Sequence, residues 1–265
     1  MSIALPRQRH SQSLPQVSFG PLRFLEALPW LVLAAAARVI ASAGGAVAFA
    51  ATFVASIAVL HAFFVVAQRS IELADGQTGL GELDFREQYR LTWAILWRIV
   101  LLMYAAACAS SWAGHVSVMP HLLLGLDGMA FDQFADIGRF WSALVAALIL
   151  LMAVDAERNS GRVNFRRAIH ELARRGLWVG TAILVLGVVY VGLGLGQGWV
   201  RSAIWQFWQT SPSSQFIKNL IYFVFIFGFA MLRLWVTLLI LTYGLKQSYI
   251  RGGSQAGTGV SSSKP

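Results

Sequence analysis

The chain has 265 residues, of which 57% are hydrophobic and only 12% charged, with a formal net charge of +9. Soluble domains carry about 25% charged residues, so a soluble globular fold is excluded. A basic excess spread thinly between long apolar runs indicates a polytopic membrane protein, not a nucleic-acid binder.

Residues 1–23 are polar and contain Pro6, Arg7, Arg9 and Pro15. They hold no short apolar core ending in a small-residue cleavage site, so the first apolar helix is expected to act as an uncleaved targeting signal. Residues 24–43 are apolar but carry Glu26, Pro29 and Arg38, and they end at Ala43-Gly44-Gly45. This segment is either a span that turns at the glycines or an interfacial helix leading into the next span. Five further segments have the length and composition of a transmembrane helix: 46–68, 91–113, 138–155, 176–197 and 220–245. The expected fold is therefore an all-α integral membrane protein with six transmembrane helices, or five plus an interfacial helix, over residues 24–250. Residues 251–265 are rich in glycine and serine and are expected to be a disordered tail.

Charge favours six. Cytoplasmic segments are enriched in Lys and Arg, and fifteen of the 21 basic residues lie in 1–23, 69–90, 156–175 and 246–265. Segment 114–137 has none. Both termini are thus expected in the cytoplasm of a bacterial inner-membrane protein, the bacterial origin being inferred from the 18 Arg to 3 Lys bias. Trp199, Trp205 and Trp208 fall in 198–209, which is expected to lie on the outer surface as a short amphipathic helix.

Two segments share a pattern. Asp84-Phe85-Arg86 and Asn164-Phe165-Arg166 each place a capping residue before a polar helix that runs into a span, and Glu87 completes a capping box with Asp84. This suggests three helical hairpins in pseudo-repeat.

Few residues carry chemistry. Arg233 lies near the middle of the last apolar run, where a charge costs roughly 2.5–3.5 kcal/mol. Helical spacing puts it on one stripe with Tyr222, Ile226, Phe229, Thr237 and Gly244. Arg233, Arg98, Thr237 and Tyr222 are the candidate binding residues for an anionic solute, and Asp155 is the carboxylate best placed to pair with Arg98. Arg38 and Arg98 can snorkel to the interface. A lone His61 suits a helix-to-helix hydrogen bond. His115, His121, Asp127, Asp132 and Asp136 have no metal-site spacing, so no metal or cofactor is expected. The run Gly192-Leu-Gly194-Leu-Gly196-Gln-Gly198 ends an apolar helix and does not join a strand to a helix, so it is a packing or loosening feature and not a phosphate loop.

The strongest surface feature is the basic segment 156–175, with Arg158, Arg162, Arg166, Arg167, Arg174 and Arg175. It suits anionic headgroups of the bilayer, or an acidic protein partner. With no paired carboxylates or nucleophile–base arrangement inside the spans, the expectation is a non-enzymatic accessory, assembly or lipid-associated membrane protein. The alternative is a small anion permease working through Arg233.

Overall fold

The computed structural model describes residues 17–19, 24–41, 44–73, 85–123, 135–158 and 162–257. The elements are β1 (Val17–Phe19), a 3-10 turn (Phe24–Ala27), α1 (Leu28–Ala41), α2 (Gly45–Ser70) and β2 (Ile71–Leu73), followed by α3 (Phe85–Trp112), a second 3-10 turn (Val116–Val118), α4 (Met119–Leu123), α5 (Asp136–Arg158), α6 (Phe165–Arg174), α7 (Gly176–Thr210) and α8 (Gln215–Gly257). Six stretches are long and apolar enough to cross a membrane: Phe24–Ala41, Gly45–Ala67, Tyr89–Trp112, Asp136–Ala156, Gly176–Thr210 and Gln215–Ser248. The chain is an all-α multi-pass membrane protein.

The first two helices form an antiparallel hairpin, so the interfacial alternative for 24–43 is set aside. Three cross-pairs fix the register. Arg38 donates to Thr52 Oγ1 at 2.8 Å near the turn. Trp30 lies against His61 with ring centroids 3.8 Å apart. Val17 pairs with Leu73 in the short β1–β2 ribbon that closes the open end. Each step away from the turn on one arm is matched on the other. The tight turn is possible because Gly44 (φ 82°) and Gly45 (φ 68°) both adopt left-handed backbone, which side chains with a Cβ resist.

Among the described residues the six spans place the start of the first and the end of the last on one side, and local contacts agree. The β1–β2 ribbon touches α5 and α8, α6 packs on α5 and α7, and Arg175 reaches Ser248 of α8. The opposite end carries the Gly44 turn, α4 and the 211–214 connection. The core lies between α2, α5, α7 and α8, with Phe64, Ile149, Met152, Leu186, Tyr190 and Leu238 fully buried. The three-hairpin picture holds unevenly: α1 with α2 and α7 with α8 pack closely, whereas α3 touches α5 sparsely and α5 packs chiefly on α7.

One expectation is corrected. Residues 198–209 are not a separate surface helix, because α7 continues unbroken to Thr210. Each helical glycine costs only about 1 kcal/mol, less than leaving backbone groups unpaired near lipid. Helix α8 is described to Gly257, and residues 258–265 of the expected tail lie outside the described residues.

The capped-helix pattern is seen in one copy. Asn164 accepts a hydrogen bond from the Arg167 N–H at 3.3 Å and starts α6. Its counterpart Asp84 lies outside the described residues. The two copies also differ downstream. Helix α3 runs straight into its span, whereas α6 is separated from α7 at Arg175 (φ −102°, ψ 19°).

Candidate functional site

The interior site is built where α8 meets α7. Thr237 donates its hydroxyl hydrogen to the Arg233 carbonyl at 2.6 Å, a bond one helical turn back that threonine commonly makes. That uses the single hydroxyl hydrogen of Thr237. The Tyr190 hydroxyl, 2.5 Å from Thr237 Oγ1, must therefore be the donor of that contact. The ring of the same tyrosine faces the Arg233 guanidinium, 4.9 Å from its centroid. Tyr190 thus serves the cation with its π-face and the threonine with its hydroxyl, which suits a buried site. Arg233 is only 5% exposed.

A cavity of ≈ 40 Å³ adjoins this group, and its walls come from α1, α2, α5, α7 and α8, including Leu31, Phe63, Ile149 and Leu234. That volume holds a few waters. It does not hold a metabolite. Leu31 and Ala146 also line it, and both lie near the middles of the two shortest spans, which sets Arg233 near mid-membrane.

Only part of the expected binding set assembles here. Arg233 and Thr237 are together. Tyr222 is on the inward stripe of α8 but eleven residues earlier, about 16 Å along the axis, where it meets Trp208 edge-on at 6.2 Å. Arg98 is half-buried on α3 and donates to the Ala94 carbonyl of its own helix at 2.6 Å. Its expected partner Asp155 sits elsewhere, at the junction of α5 and α6. There it accepts from the Asn164 N–H at 3.3 Å and lies 3.5 Å from the Arg167 guanidinium.

Two buried groups escaped the sequence reading. Tyr190 is one. A tyrosine in mid-span signals a hydroxyl in need of a partner, but the partner lies 47 positions away. Arg139 is the other. It is 6% exposed, pairs with Asp136 at 2.9 Å, and its guanidinium occupies the space a Cβ on Gly194 would need. Phe140 similarly fills the space above Gly187. The glycines of α7 at these positions let α5 approach closely, while Gly192 and Gly196 face open space.

At the other candidate surface, α6 is pinned at both ends. Asn164 and Arg167 hold its start to Asp155, and Arg175 at its end donates to Glu171 at 2.8 Å and Ser248 at 3.3 Å. Arg175 is therefore a largely buried tie between helices. Ala168 faces the bundle, while Arg166, Arg167, His170 and Arg174 are exposed, as is Arg162 before the helix. The Arg158 side chain lies outside the described residues.

Among the described residues no three His, Cys, Asp or Glu side chains gather as a metal site. Asp127 and Asp132 lie outside them. No protein-family model, curated protein or solved structure matches the chain.

Proposed function

We propose that the chain is a non-enzymatic accessory or assembly protein of the bacterial inner membrane, with both termini in the cytoplasm. In this reading α6 is its working surface, meeting anionic headgroups and an acidic cytoplasmic partner. One observation carries the proposal. A short helix is clamped to the bundle at both ends and turns Arg166, His170 and Arg174, spaced by about one helical turn each, away from it. Such a face is preorganised for an acidic surface, and each basic residue near an anionic leaflet contributes roughly 1 kcal/mol.

A second reading, a small anion permease, draws on Arg233 at the meeting of five helices. Against it stand the small cavity and the two hydroxyls already committed to each other and to a carbonyl. Substrate-binding sites in transporters are commonly lined by broken helices, and both α7 and α8 run unbroken past this level.

The two readings separate experimentally. The R166Q/R174Q variant should lose a complex isolated from membranes in mild detergent, and R233L should retain it. A complex unchanged in R166Q/R174Q would overturn the accessory reading. Anion flux into proteoliposomes that disappears in R233L would establish the permease.

A further inference from the structure

Helices α7 and α8 are too long for the bilayer. From Tyr190, near mid-membrane, α7 continues for twenty residues, about 30 Å, whereas half a hydrocarbon core is about 15 Å. The hairpin of α7 and α8 therefore projects through the headgroup layer at the end of the bundle opposite α6. Arg201 and Tyr222 are each eleven residues from Tyr190 and Arg233, about 16 Å up, at the boundary between acyl chains and headgroups.

A groove of ≈ 620 Å³ runs outward from this depth between the two helices, with Trp205 and Trp208 about 6 and 10 Å above Arg201. Trp205, Trp208 and Tyr222 wall it, and Arg201, Ser202 and Gln206 supply polar groups. Lys218 of α8 adds positive charge nearby and is anchored by donating to the Trp208 carbonyl at 2.6 Å. A guanidinium has five N–H donors in a planar fork that matches a phosphate. Aromatic rings with a polar N–H or O–H beside and above it suit the headgroup layer.

We propose that this groove binds an anionic phospholipid, its phosphate held by Arg201, its glycerol beside Tyr222 and the part of its headgroup beyond the phosphate held against Trp205 and Trp208. Charge complementarity and depth select this occupant. The same two helices form a second groove, of ≈ 580 Å³, toward the α6 end. It is lined by Trp178, Val185, Leu239, Tyr243 and neighbours, with no basic residue. It offers the same kind of apolar wall without the headgroup chemistry. The inference rests on the multi-pass fold and is independent of what α6 contacts.

The test uses the full-length protein in detergent and native mass spectrometry of retained lipid, with phosphatidylglycerol and phosphatidylcholine as probes. The wild-type protein should retain phosphatidylglycerol preferentially, and R201Q should bind it about five-fold more weakly. R201K, which keeps the charge and loses the fork, should fall between them, and W205A should weaken both lipids. R166Q/R174Q should leave this site unchanged, which separates its failure from that of the α6 proposal. Equal retention of the two lipids by the wild-type protein would overturn the inference, as would R201Q matching wild type. Displacement of the lipid by inorganic phosphate would reassign the groove to a free anion and overturn it as well. Should R201Q not fold, the wild-type lipid preference and the R201K series decide the matter.

Discussion

Helices α5 and α3 are both single apolar spans, yet 78% of an 18-residue apolar stretch of α5 is buried inside the bundle and only 39% of the corresponding stretch of α3 is. Helix α5 carries small and medium residues on every side, and neighbours close over all of those from Val145 through Val154. Helix α3 buries one stripe, Leu91, Ile95, Ile99, Met103 and Ala107, and presents Trp93, Trp97, Leu101 and Tyr104 outward. The difference shows what apolarity means in a membrane. Lipid accepts a leucine as readily as a protein core does, so burial is decided by whether side-chain shape lets another helix approach.

The largest effect should come from closing that approach. In G187L the new side chain meets the Phe140 ring on α5 and should lower stability by about 3 kcal/mol in a reversible unfolding assay. G192L, on the open side of α7, should stay within about 0.5 kcal/mol of wild type. Equal effects would mean that α5 and α7 do not meet as described. A middle-sized effect is expected for Y190F, which removes the hydroxyl donor and spares the ring: about 1 kcal/mol. A loss well above that would show that the hydroxyl holds more than Thr237. The smallest belongs to the periphery. R98L on α3 gives up one bond to its own helix and should change stability by less than about 0.5 kcal/mol.

Much of the architecture was legible because it depends on local pattern. Run length placed the spans, charge asymmetry required an even number of them, and the Ala43-Gly44-Gly45 tripeptide marked the first turn. The inward stripe of α8 also followed from spacing: Ile226, Phe229, Arg233, Thr237 and Gly244 are all buried. What was not legible is pairwise. Spacing shows that Arg233 faces inward but not that Tyr190 lies opposite. It also shows that Asp155 ends a span but not that Arg167 folds back beside it. The alternating glycines of α7 look alike in sequence, and only the position of Arg139 distinguishes Gly194 from Gly192.

The β1–β2 ribbon has a consequence for biosynthesis. Its two strands flank the whole first hairpin, so the clasp cannot close until Leu73 has been made. Until the second span has been made, α1 carries Arg38 without Thr52 and Trp30 without His61. The first span is thus incomplete as an isolated insertion unit. Its polar groups find their partners only when the second span arrives, and the two enter the bilayer best as a pair, latched from outside the lipid by three residues on each strand.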